Sequence, residues 1–225
     1  MNLEEFLKKQ DYVYDGFRKS SIKEKGIVPS PSIKGQSGYI SCFRHYDNIS
    51  LPVAKFSHKI LENIPGIPYD VNNIHTTIFT HDVKNTLEFI PDNKIIEKIS
   101  ERLVHNVYNL KRWLPPPSIN YGEWLNNQDT LIFGGIPNES FVNYTESLVN
   151  DSYLREMNIK MPWGAHITAF RFSKELKVDE MESYFKCFEK TPNGLISFPT
   201  SIDIGYFILS PQGFMLKTLE RFRLN

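Results

Sequence analysis

Along this chain the hydrophobic positions switch period several times, and each switch marks an element. GYISCFRH (38–45) has strand character, and LPVAKFSHKILENI (51–64) then sets Val53, Phe56, Ile60 and Leu61 on one helical face. NNIHTTIFTH (72–81), rich in β-branched residues, returns to strand. DNKIIEKISERLVHNVYNL (92–110) predicts an amphipathic helix with Asp92 as its start signal. Residues 115–138 predict two strands turning at Asn126-Asn127, with Gly134-Gly135 as a further turn that closes the segment. A helix follows over 139–157, a strand over WGAHITAFRF (163–172), a helix over 178–190, and the last strands over 195–224. The expected order is β-α-β-α-β-β-α-β-α-β-β.

Residues 1–36 stand apart from this alternation. A short amphipathic start (Leu3, Phe6, Leu7) leads into SSIKEKGIVPSPSIKGQSG, which reads as an irregular extension in front of a domain over 37–225. Three roles are open to it: a lid over a cleft, a partner-binding arm, or packing. Where Tyr12, Tyr14 and Phe17 lie would decide among them.

Composition narrows the class. The chain has 225 residues, 40% of them hydrophobic and 23% charged, as in an ordinary globular protein. The 26 basic and 26 acidic residues cancel, which argues against a protein that coats long nucleic acid. Cys42 and Cys187 are far apart and suggest neither a disulfide framework nor a metal site, so a reducing, cytoplasmic compartment is expected. The N-terminus lacks a signal-peptide apolar region, and no run reaches the roughly 18 apolar residues of a membrane helix.

The chemistry lies in a pair of stretches, I-H-T-T-I at 74–78 and A-H-I-T-A at 165–169. Side chains alternate along a strand, so His75 shares a face with Thr77, and His166 with Thr168. Two imidazoles facing each other across a cleft can divide phosphodiester cleavage between them. A neutral one takes the proton of the attacking water or hydroxyl, and a protonated one supplies the leaving oxygen. An ordinary pKa of about 6.5 allows both forms near neutrality. Threonine hydroxyls can donate to the non-bridging phosphate oxygens. This scheme needs no metal and no cofactor.

The doubled His-x-Thr, its spacing of about ninety residues and the strand–helix order resemble the two-histidine (2H), LigT-like phosphoesterase superfamily. The resemblance spans residues 37–225. It implies an α+β, bilobal fold: two pseudo-twofold-related antiparallel sheets, flanked by helices, with a central cleft. It implies a metal-independent phosphodiesterase acting on 2′,3′-cyclic phosphates or on 2′,5′-linked or cyclic nucleotides, with His75, Thr77, His166 and Thr168 as its catalytic residues. Alternatives are a degrader of cyclic oligonucleotide immune or second-messenger signals, and a non-catalytic nucleotide-binding module. The expected partner is a small nucleotide or short oligonucleotide, with no membrane or long nucleic acid, and a monomer is expected.

Lesser candidates surround this core. Arg171 falls five residues after the second histidine, where the bacterial RNA-phosphodiesterase branch often has arginine, although strict alternation puts it on the face opposite His166. A substrate role there requires a bulge or a strand end. His45 and Tyr46 follow the first strand where a loop could reach the cleft. Of Tyr206 and Phe207, which alternate faces, one is core and the other free to line the cleft; Tyr206 is counted with the substrate-binding candidates. His81-Asp82 is expected to end its strand in solvent, because the further ligands of an HD-type metal site are missing. In the first motif Thr76 stands where the superfamily prefers an aliphatic residue, so different packing is expected behind that strand. No GxSxG, HExxH or paired CxxC supports a serine hydrolase or a zinc enzyme.

Overall fold

The computed structural model describes all residues except 21, 152–156, 158, 160 and 225, and only the backbone of 190. Two antiparallel sheets carry the fold. The first orders its strands β3 (His75–Lys84), β1 (Gln36–Arg44), β8 (Ser201–Ser210) and β9 (Gly213–Arg223). The second orders β2 (Gly66–Pro68), β6 (His166–Phe172), β5 (Thr130–Pro137), β4 (Ile119–Asn126) and β7 (Leu195–Ser197). The helices are α1 (Leu3–Arg18), α2 (Ile22–Lys25), α3 (Asp47–Leu61), α4 (Asn93–Trp113), α5 (Glu139–Val149) and α6 (Glu182–Cys187). None of the described helices is long and apolar enough to cross a membrane.

The chain passes through one unit twice, as β1-α3-β3-α4 and as β5-α5-β6-α6. The first pass then gives its next strand, and the second its next long strand, to the other sheet. β4 follows α4 but pairs with β5, and β8 follows α6 but pairs with β1. This exchange produces the pseudo-twofold relation and ties the lobes together. The short strands β2 and β7 are edge additions to the second sheet.

Most elements sit where the hydrophobic periods put them. α4 buries Ile96, Ile99, Leu103 and Val107, one apolar stripe at helical spacing, and the Asp92 side chain caps it by accepting from the Lys94 N–H. α5 is shorter than expected: it ends at Val149, and residues 152–156 of the expected helix lie outside the described residues. β3 runs past His81 to Lys84, and the His81 ring stacks on Tyr39 at 5.9 Å.

One expectation falls short and one is overturned. Residues 3–18 form a full helix, opened by a reciprocal cap between Asn2 and Glu5, that buries Phe6, Gln10 and Tyr14 at four-residue spacing. Gly134-Gly135 is not a turn but lies inside β5. The turn is at 127–129, where Asn127 Oδ1 accepts from the N–H groups of Asp129 and Thr130. Glycine serves a close approach here: a Cβ on Gly134 would lie 2.8 Å from the Tyr14 ring, and one on Gly135 2.5 Å from Ile119.

Candidate active site

His75 opens β3, His166 opens β6, and these two strands pack together where the sheets meet. Each strand carries a bulge at the same point. Between Ser41 and Cys42 of β1 the register jumps from Phe79 to Thr77, leaving Ile78 as the extra residue of β3. Between Leu131 and Ile132 of β5 it jumps from Phe170 to Thr168, leaving Ala169 as the extra residue of β6. One extra residue inverts the alternation downstream. Arg171 therefore shares the face of His166 and Thr168, and all three are half-buried while Ile167, Ala169 and Phe170 are buried. Thr80 holds the equivalent place on β3.

The bulge in β6 has its own support. The extra carbonyl, on Ala169, accepts from the Ser57 hydroxyl of α3 and from the Tyr69 N–H at 3.0 Å. Ser57 in turn accepts from Tyr69 N–H at 3.1 Å. Buried backbone polar groups need partners, and these hold the strand in its inverted register. Arg171 is then fixed by its Nε donating to Tyr69 Oη at 3.2 Å and its Nη1 donating to Thr130 Oγ1 at 3.3 Å and Ser30 Oγ at 3.4 Å.

Both imidazoles are oriented in the same way. His75 Nδ1 lies 2.6 Å from the Asn73 carbonyl, and His166 Nδ1 lies 3.2 Å from the Gly164 carbonyl. A carbonyl only accepts, so Nδ1 carries the proton in each neutral ring and Nε2 keeps the lone pair. Each ring also lies on an aromatic ladder. His75 stacks on Phe214 at 5.7 Å, and Phe214 on Tyr69 at 4.4 Å. His166 stacks on Trp163 at 3.9 Å, and Trp163 lies nearly parallel to Phe17 at 5.9 Å. Thr77 and Thr168 are half-buried, and among the described residues neither hydroxyl has a protein partner.

Burial lowers the proton affinity of both histidines, to a pKa of about 4 for His75 and about 3 for His166. Smaller contributions link the groups across the seam: Arg171 disfavours the charged form of both rings, and His75 that of His166. Two neutral imidazoles and one guanidinium make a site that is charge-poor until an anion enters it.

The remaining candidates fall elsewhere. His45 is buried, with Nδ1 2.7 Å from Ser197 Oγ and Nε2 3.1 Å from Thr76 Oγ1. Thr76 also meets the Tyr121 hydroxyl. This network joins the first sheet to β4 and β7 of the second, and it accounts for a polar residue at position 76. Tyr46 is 50% exposed at the start of α3, beside a hollow of about 310 Å³ shared with Thr200, Ser201, Arg221 and Arg223. Tyr206 is a correction: it packs on Phe89 at 5.6 Å on the face opposite the histidines, and Phe207 takes the inner face near Phe214. Sequence reasoning missed Phe214, Tyr69 and Trp163, whose roles depend on contacts made across the fold. A signal for Trp163 was present in its position three residues before His166.

This geometry defines a fold first: a two-lobed α+β arrangement with one His-x-Thr strand from each sheet at the seam. The Thermus thermophilus protein TT0787 shares the fold at 15% identity, with a TM-score of 0.53 over 83% of this chain and 97% of that one. Escherichia coli LigT in apo form aligns at 14% identity and a TM-score of 0.49, over 84% of this chain and 98% of that one. A structure described as a phosphoesterase aligns at 14% and 0.45, over 84% and 98%. No protein-family model and no curated protein matches the sequence.

The buried histidines predict an acid-sensitive fold. His45, with a pKa lowered to about 3, and His75, at about 4, stay neutral in the native state, whereas an unfolded chain protonates them near 6.5. Unfolded chains bind more protons below that value, so the contribution is complete above it and is lost as pH falls toward the folded-state values. At pH 5 the expected loss is about 2 kcal/mol per buried histidine. Urea unfolding at pH 7.5 and pH 5 measures it, and equal midpoints would show that these rings are not held neutral.

Proposed function

We propose that this protein is a phosphodiesterase in which His75 and His166 act as general acid and base on a small nucleotide or short oligonucleotide. The observation that carries the reading is the matched pair of strands: His-x-Thr on each, the same bulge after each, and the two packed together at the seam. In the proposed step one neutral imidazole accepts the proton of the attacking water or ribose hydroxyl through Nε2. The other, protonated, gives its proton to the leaving oxygen. The lowered pKa values supply the base directly. The acid form arises with substrate, because the phosphodiester anion offsets the cost of a buried imidazolium. Thr77, Thr168 and Arg171 donate to the non-bridging oxygens as charge builds on them.

A substrate panel tests this: 2′,3′-cyclic mononucleotides, 2′,5′-linked oligoadenylate, and cyclic di- and trinucleotides, each with excess chelator. Product from any of them supports the reading, and cleavage confined to the cyclic oligonucleotides selects the signal-degrading variant. Activity abolished by chelator, or binding without product that is indifferent to His75→Ala, overturns it. Arg171→Met is expected to cost about 10- to 100-fold in kcat/KM, as loss of a charge-assisted phosphate contact does. Arg171→Lys is expected to recover little, because the fork that holds Tyr69, Ser30 and Thr130 is lost. Steady-state kinetics on the best substrate checks both.

A further inference from the structure

The N-terminal helix is built against the strand that carries His166. Gln10 and Tyr14 are 4% exposed, and both reach the backbone at Gly135 and Ala165, where the Gly135 N–H also donates to the Ala165 carbonyl at 2.9 Å. Gln10 Nε2 donates to the Gly135 carbonyl at 3.0 Å, and its Oε1 accepts from the Ala165 N–H at 2.8 Å. Tyr14 Oη donates to the Ala165 carbonyl at 3.0 Å and accepts from the Gly135 N–H at 3.2 Å. Ala165 is the residue immediately before His166, and Gly164, whose carbonyl orients the His166 ring, lies under Gln10 and Tyr14.

The same helix reaches the ring itself. Tyr14 meets Trp163 edge-on at 6.0 Å, Phe17 lies nearly parallel to it at 5.9 Å, and Trp163 stacks on His166 at 3.9 Å. Tyr14 also forms a small apolar cluster with Leu125 and Ile132. Ile132 pairs with Thr168, and Gly134 with His166, so α1 lies over the face of the second sheet that bears the motif. A bidentate pair from Arg18 to Glu123 of β4, at 2.9 and 2.8 Å, anchors its far end. Tyr12, by contrast, is 84% exposed and takes no part.

We propose that α1 is a positioning element for His166: Gln10 and Tyr14 fix the entry to β6, and Phe17 backs the indole on which the imidazole lies. The proposal rests on the reading of His166 as a catalytic group. The first lobe needs no such helix, because its ladder of Phe214 and Tyr69 comes from within the sheets and their connections. Positioning errors of an ångström can cost on the order of 100-fold in rate, so the contacts that hold this ring bear directly on turnover.

Trp163→Ala and the milder Tyr14→Phe and Trp163→Phe test it by kinetics and by the NMR signals of the histidine Cε1–H groups. Trp163→Ala is expected to lower kcat about tenfold or more with little change in KM, and to move the His166 signal out of the indole ring current while leaving His75 in place. Trp163→Phe keeps a stacked ring and is expected to retain most of the rate. Tyr14→Phe, which only deletes a hydroxyl, is expected to move the His166 signal in the same direction by less. Unchanged kcat in a folded Trp163→Ala protein, a loss of rate without movement of His166, or equal movement of both histidines overturns the proposal. An unmoved His166 signal in Tyr14→Phe removes α1 from it. The NMR arm needs no substrate, so it still decides if the wild-type protein cleaves nothing on the panel.

Discussion

Alanine at either His75 or His166 is expected to lower turnover by at least about 100-fold, the low end for loss of a general acid or base. The double replacement is expected to cost little more than the worse single one. Groups that act as a unit are not additive: once the base is gone, a poised acid has no developing charge to meet. The pH profile separates the two. Each wild-type ring has its Nδ1 at a backbone carbonyl, and burial holds the free-site pKa near 4 for His75 and 3 for His166. A bound phosphodiester raises both, so the acidic limb of kcat is expected at higher pH than the acidic limb of kcat/KM. Each single variant is expected to lose one limb. Single-turnover rates at saturating substrate across pH 4 to 9, with circular dichroism to confirm folding, locate the limbs of kcat, and the acidic limb of kcat/KM is expected at or below the bottom of that range. A variant within a few-fold of wild type at either position would refute the paired scheme.

The two motifs were legible in sequence because a period of two places His and Thr on one face without any knowledge of the partner strand. Arg171 was legible only as a conditional candidate, since its face depends on a bulge at Ala169, and that bulge is held by Ser57 from α3, more than a hundred residues earlier. A trace of it is nonetheless present. His75-Thr76-Thr77-Ile78-Phe79-Thr80 and His166-Ile167-Thr168-Ala169-Phe170-Arg171 share one pattern: after His-x-Thr, two adjacent apolar residues break the alternation before it resumes on a polar one. Tyr206 and Phe207 were correctly split between faces, but which face meets the cleft is decided by Phe214 and Phe89, and these are tertiary facts. The helix over 3–18 was under-read because its buried stripe runs single-file and includes the polar Gln10. Gly134-Gly135 resembled a turn because the groups that use the space, Tyr14 at Gly134 and Ile119 at Gly135, come from other elements.

Asp203→Ala is expected to be the most destabilising substitution near the site. The Asp203 carboxylate is 1% exposed on β8 and accepts from Arg221 at 2.8 and 2.7 Å, Ser201 at 2.9 Å and Thr218 at 2.9 Å. The Nε of Arg44 lies 3.7 Å away, and Arg44 pairs in register with His75. Removing the buried carboxylate leaves Arg44, 14% exposed, without its counter-ion, whereas Arg221, 54% exposed, can turn to solvent, so the cost is about 3 kcal/mol, the low end for a broken buried pair, or on the order of 10 °C in Tm for a chain of this size. A packing change alone would destabilise without touching the histidine. Here Asp203 raises the proton affinity of His75 while Arg44 lowers it. Asp203→Asn, which keeps the volume and one of the two acceptor oxygens while removing the charge, should therefore depress the His75 pKa further and make its imidazolium harder to form. Urea unfolding of both variants, with an NMR titration of His75 in Asp203→Asn, tests the two effects separately. A loss below about 1 kcal/mol in Asp203→Ala would place the cluster among weak surface pairs. An unmoved His75 would show that the carboxylate stabilises the sheet without tuning the site.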